Sequence, residues 1–269
     1  MQTLIRLSLH LILLCTVLGP TLLLSQSQAP ASDPQAIALA AQATTALTNG
    51  VAVNDITLFA NATWTSGSEI ETGSATLRAK GMDEGRVDLA LSGGNRTEIR
   101  TVSNGFSLGA SIGVDGVQKH AAPHNCWTSS SWFFPALTPL TFEPDPSVVL
   151  SYVGQEMQNG IVVYHLRASR WPQGGAAQAA PLFSPFSATD IYLDRRSLFP
   201  VSMTFNTHPD SDASANIAIE IRYSSYQAVS GITAPMHVQK FVSGTLELDL
   251  LVTGVTLNSG LPDSIFNAQ

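Results

Sequence analysis

From residue 54 onward the apolar positions recur every second residue, the period of a strand with one dry and one wet face. In NDITLFANATW, Ile56, Leu58, Ala60, Ala62 and Trp64 share one face, while Asp55, Thr57, Asn61 and Thr63 share the other. The alternation returns at Val87, Leu89 and Leu91, at Val201, Met203 and Phe205, at Ile217, Ile219, Ile221 and Tyr223, and at Leu246, Leu248, Leu250 and Val252. Turn residues separate these runs at Gly67, Gly81, Gly93-Gly94, Asn104-Gly105, Asn159-Gly160, Pro209-Asp210, Gly231 and Gly244. So many strands with short connections predict an antiparallel meander, either a barrel or a strongly curved sheet.

Three stretches depart from that rhythm. DPQAIALAAQATTALTNG predicts a helix over 34–49, with Asp33 as cap, Pro34 in the first helical position, Gly50 at the left-handed exit and a stripe of Ile37, Ala40, Thr44 and Leu47. The runs VVLSYV (148–153) and IVVYHL (161–166) are apolar on both faces, which predicts strands covered on both sides. WPQGGAAQAAPLFSPF (171–186) is rich in Pro, Gly and Ala and reads as a long loop. Pro235 falls inside an otherwise regular strand pattern, a position that only edges and bends of a sheet tolerate.

The first 31 residues have the layout of a secretory signal: Arg6, an apolar run from Leu7 to Leu24 broken at Gly19-Pro20, then small and polar residues. An uncleaved N-terminal membrane anchor is the alternative. With that segment removed, Cys126 is the single remaining cysteine, so no intramolecular disulfide forms, as suits a bacterial periplasm. Loss of Arg6 takes the formal charge from −7 to −8, which argues against a nucleic-acid partner or an anionic lipid surface held by charge alone. Residues 32–269 fit one β domain.

Candidate chemistry is sparse. GFSLG (105–109) matches the G-x-S-x-G nucleophile elbow at Ser107, but the motif requires a following helix, and ASIGVDGVQK does not predict one. His120, His124 and Cys126 lie within seven residues, yet Pro123 prevents helical alignment of the two histidines and no fourth ligand is near. Trp127, Trp132, Phe133 and Phe134 form the densest aromatic patch, either core or the wall of an apolar ligand site. The carboxylates are scattered over turns and polar faces, with no acid–base pair set apart.

The C-terminal half follows a recurrent order: DIYLDRRSLFPVSMTF, a Tyr-rich strand IEIRYSSYQAV, then GITAP, a further strand, and NSGLPDSIF. This resembles the periplasmic lipoprotein carrier family, LolA and LolB, with the wider outer-membrane lipoprotein-sorting group. The match is strongest over 188–266 and also touches the helix at 34–49 and the strand after it. The resemblance implies an unclosed antiparallel β-barrel of about eleven strands, wrapped over helices that cover an apolar cavity for acyl chains. It also implies an arginine coupling lid to cavity, for which Arg78, Arg86, Arg96 and Arg100 are the candidates. The expected protein is a non-catalytic, monomeric, periplasmic carrier or binding protein without cofactor, taking a lipid or acylated lipoprotein and meeting envelope transport machinery. From the alternation, its cavity is lined by Ile56, Leu58, Trp64, Leu89, Leu91, Met203, Phe205, Ile219 and Ile221, with Trp132, Phe133 and Phe134. Two alternatives stand beside it: a cell-envelope interaction module whose barrel is filled by its own side chains, and a serine esterase using Ser107 with His208 or His237.

Overall fold

The computed structural model describes residues 30–103, 106–141, 147–171 and 180–268. The expected signal segment lies outside these apart from Pro30 and Ala31, as does the Asn104-Gly105 turn.

Helix α1 (Pro34–Thr48) starts where Asp33 caps it: the carboxylate accepts from the backbone N–H of Gln35 at 2.7 Å and of Ala36 at 3.2 Å. It ends one residue before the expected exit, with Asn49 left-handed at φ 50°. The buried face is Ala36, Leu39, Ala40, Ala43 and Leu47, so the expected stripe is rotated and Ile37 is exposed. Three alanines on that face let the helix lie close to its neighbours, which is what selects it over the face carrying Ile37.

The first six strands are β1 (Asp55–Ser66), β2 (Glu69–Lys80), β3 (Glu84–Leu91), β4 (Gly94–Ser103), β5 (Phe106–Ile112) and β6 (Gln118–His120). The remaining seven are β7 (Val148–Gln158), β8 (Ile161–Arg170), β9 (Thr189–Asp194), β10 (Pro200–Thr207), β11 (Ile217–Val229), β12 (Ile232–Val242) and β13 (Thr245–Leu257). Among the described residues they form one antiparallel sheet in the order β6-β5-β4-β3-β2-β1-β13-β12-β11-β10-β9-β8-β7. It is two meanders joined through the β1–β13 pair, and β6 and β7 remain as edges, so the barrel is unclosed as expected. Register shifts at Phe59/Ala60, Tyr152/Gly154, Pro200/Ser202 and Lys240/Phe241 bend the strands.

The same topology dictates a crossing. Because β6 and β7 lie at opposite edges, the chain between them must traverse the sheet, and residues 121–141 do so in 3-10 turns at Pro123–Asn125, Pro135–Leu137 and Pro139–Thr141. Thr128 to Leu140 are all buried.

Two expectations are corrected here. Val153, Ile161 and Val162 are 53%, 39% and 41% exposed, so β7 and β8 are not covered on both faces; they sit at the edge of the sheet, where no second layer reaches. The stretch expected as a loop contains helix α2 (Ala180–Ser187), stabilised where Phe183 stacks on Trp127 with ring centroids 4.9 Å apart; residues 172–179 lie outside the described set.

Pro235 pairs with Tyr226 of β11. Since Ser230–Gly231 is a two-residue turn closed by the Val229–Ile232 pair, alternation makes Tyr226–Pro235 a non-hydrogen-bonded pair, and the missing N–H points away from β11. On that other side β13 pairs with β12 only from His237 onward. Pro235 thus occupies a local edge inside a long strand. Pro200 opens β10 at a register shift, another place proline is admitted.

Candidate functional site

The inner face of the sheet is where the alternating side chains converge. Ile56 (β1), Leu89 and Leu91 (β3), Met203 and Phe205 (β10) and Ile219 and Ile221 (β11) are buried in one hydrophobic cluster with Leu58, Trp132, Phe133 and Phe134, and Trp64 packs against it partly exposed. All twelve expected lining residues therefore meet. What covers them is the protein itself: α1 and the crossing segment, whose Phe133 and Phe134 are 0% exposed. We call residues 128–140 the plug.

The plug is held by a few polar clasps. Ser130 Oγ donates to the carbonyl of Met82 at 2.6 Å, and Tyr223 OH, on the inner face of β11, donates to the carbonyl of Trp132. Burial pushes the Tyr223 phenol well above its ordinary range, so it stays a donor. At the upstream end Asn125 Nδ2 donates to the carbonyl of His208 at 2.7 Å, while the N–H of His208 donates to Asn125 Oδ1 at 2.8 Å.

Beside the plug lies a cleft of about 720 Å³ between the end of α1, residues 51–54, the β2–β3 turn and Ala136–Leu137. Val51, Val53, Met82, Val102, Ala136 and Leu137 supply its apolar surface; Lys80, Asp83 and Glu84 supply the charge. Burial raises the Glu84 carboxyl, and Asp263 adds to the effect.

The four candidate arginines divide by face. Arg78 and Arg86 pair across the β2–β3 ladder on the outer face, where both bind Asp88, at 2.8 Å each. Arg96 lies across from Leu89 and Arg100 from Gly85, on the inner face. Arg96 binds Glu71 through two nitrogens, at 2.7 and 2.8 Å, and its guanidinium sits 4.2 Å from the Trp64 ring centroid. Arg100 binds Glu98 at 3.3 Å. Lys240 enters the same face from β12, 2.9 Å from Glu247 and 5.7 Å from the Trp132 ring. Burial works against the charge on Glu98, but Arg100 and Lys240 outweigh it and hold the carboxyl below its ordinary range. The inner face therefore has an apolar body and one charged end.

The remaining sequence candidates do not assemble. Ser107 lies inside β5 opposite Val102, and strand rather than helix follows it, so the elbow is not formed. His120 is exposed in β6, whereas His124 packs edge-on to His208 at 5.7 Å. Cys126 is buried, and that burial pushes its thiol up. Among the described residues no group of three His, Cys, Asp or Glu converges as a metal site. The cleft and the inner charged end escaped sequence reasoning because they depend on which strands become neighbours through curvature.

No protein-family model matches the chain, and no curated protein matches it by sequence. Solved structures do match in fold. An outer membrane lipoprotein-sorting protein domain from Vibrio parahaemolyticus superposes with a TM-score of 0.54 at 12% identity, over 86% of this chain and 95% of that one. A DUF1329 family protein from Desulfovibrio piger gives 0.54 at 11% identity, over 88% and 98%. A LolA superfamily protein from Nitrosomonas europaea gives 0.49 at 10% identity, over 86% and 97%. The likeness to the Vibrio domain shows a LolA-like fold: one antiparallel, unclosed sheet wrapped around a helix and a crossing segment.

Proposed function

We propose that the protein is a periplasmic carrier or binding protein that holds an acyl chain, of a lipid or of an acylated lipoprotein, against the inner face of the sheet. The observation that carries this reading is the plug. The apolar inner face is covered by α1 and by an irregular connector that has no ladder of its own and borders an open cleft at Ala136 and Leu137. An acyl chain entering past Ala136 and Leu137 would exchange one apolar cover for another. Each methylene taken out of water contributes about 0.8 kcal/mol. The displaced plug side chains offset most of that gain, which leaves binding weak enough to reverse, as carriage requires. The likeness in fold to the Vibrio lipoprotein-sorting domain is the reason to include acylated peptides among the cargoes. Residues 1–31 acting as a signal, and residues 32–269 acting as one unit, belong to the same proposal.

The full burial of Phe133 and Phe134 favours a second reading, in which the plug never leaves and the molecule is an envelope interaction module. Substituting Val102→Trp narrows the cleft from its exposed rim. Fluorescent fatty-acid titration should show binding to the wild type and at least about tenfold weaker binding to V102W. Absence of binding to the wild type would leave the interaction module as the reading.

A further inference from the structure

We propose a second site on the outer face of the sheet, where Ser224, His237 and Asp249 form a nucleophile, base and positioning carboxylate able to hydrolyse small, exposed carboxylic esters. The three residues come from consecutive neighbours β11, β12 and β13, and Ser224 faces His237 directly across the ladder. Asp249 Oδ1 lies 2.7 Å from His237 Nε2, and Ser224 Oγ lies 3.3 Å from His237 Nδ1. Gln239 Nε2 donates to the other carboxylate oxygen at 3.2 Å and fixes its plane.

The carboxylate decides the tautomer. Asp249 is an acceptor and takes Nε2–H, so the lone pair of Nδ1 faces the Ser224 hydroxyl, as a general base requires. Ser225, immediately after the nucleophile, is left-handed at φ 55° and has no partner in the ladder between the Ser224–His237 and Tyr226–Pro235 pairs. Such a residue stores backbone strain next to an exposed hydroxyl. Arg222 lies on the same face two residues earlier, its guanidinium held by Glu220 and stacked 4.0 Å from the Phe241 ring centroid. Leu251, directly across from His237, and Phe59 on β1 are 53% and 45% exposed and offer an apolar ledge to the ester.

In the step this geometry allows, Ser224 Oγ bonds to the ester carbonyl carbon while its proton passes to His237 Nδ1. Collapse of the tetrahedral adduct breaks the carbon–alkoxy bond, and the departing alkoxide takes that proton from Nδ1. Water then repeats the sequence, releasing the carboxylic acid and restoring Ser224. One ester and one water are consumed, and one carboxylic acid and one alcohol are released.

The test uses the full chain with p-nitrophenyl acetate and a fluorophosphonate probe, comparing wild type, Ser224→Ala, His237→Gln and Asp249→Asn. The expected result is a probe adduct on Ser224 and turnover that falls about a hundredfold or more in S224A and H237Q. D249N, with the wrong ring tautomer, should lower kcat with little change in KM. A probe adduct on Ser107, labelling that persists in S224A, or wild-type turnover no higher than that of S224A would overturn the proposal. Because the site lies on the face opposite the plug, S224A should bind fatty acid as the wild type does, so this test and that of acyl-chain binding fail separately.

Discussion

Asp55 opens β1 and is 4% exposed, yet its carboxylate accepts from four groups: the N–H of Ser259, Gly260 and Leu261 and the hydroxyl of Ser259. Asn258 completes the clamp, its Oδ1 accepting from Asn54 N–H at 2.7 Å and its Nδ2 donating to the carbonyl of Ala52 at 2.7 Å. The Asn-x-x-Leu-Pro-Asp-x-x-Phe signature thus ties the end of the last strand to the start of the first. Burial alone would raise the Asp55 pKa; the backbone donors outweigh it and lower it. A lowered folded pKa gives stability that is present in full above the ordinary carboxylate value and is lost as pH falls through the folded one. Asp55→Asn should therefore cost about 1–3 kcal/mol in urea unfolding at neutral pH, with a gap to wild type that shrinks in acid. Gly85 is a second decisive residue: a Cβ there would stand 2.1 Å from the backbone oxygen of Ser130, so β3 and the plug meet backbone to backbone. Gly85→Ala should push the plug outward, raising hydrogen exchange across residues 128–140 and dye binding to exposed apolar surface.

At the scale of elements, the strands were legible because one-sided burial writes a period of two into the chain, and α1 because Asp33 and Pro34 mark its start. Legibility failed where a property belongs to pairs of elements. The aromatic density of 127–137 was visible, but that these residues cross the inner face follows only from β6 and β7 being opposite edges. The charged end was hidden for a related reason: Arg96, Glu98 and Arg100 occupy inward positions of β4, so alternation reads that strand with its faces exchanged. His237 and Asp249 are 12 residues apart and read as unrelated outward-facing polar side chains until β12 and β13 pair. The plug is as much part of the core as any strand, and Phe134→Ala should cost about 3–5 kcal/mol in equilibrium unfolding. A loss below about 1 kcal/mol would mean that the plug is already loosely seated.

For the whole molecule, the consequence is a curved sheet with two separable faces: an inner one closed by a connector, an outer one carrying polar networks. Ser32 and Asp33 also cover part of the exposed edge, where Leu150 N–H donates to Ser32 Oγ at 3.0 Å and Asp33 N–H donates to the Leu150 carbonyl at 2.8 Å. The other half of β7 stays open at Val153 and Met157, which are 53% and 63% exposed. The account rests on the inner face being able to exchange its plug for an acyl chain. Native mass spectrometry of residues 32–269, isolated gently and then incubated with fatty acids and a triacylated lipopeptide, tests this most directly. The expected result is a bound lipid or lipopeptide of one-to-one stoichiometry, with slower hydrogen exchange at the cleft and faster exchange across residues 128–140. A protein that stays ligand-free at every concentration, its plug equally protected throughout, would contradict it.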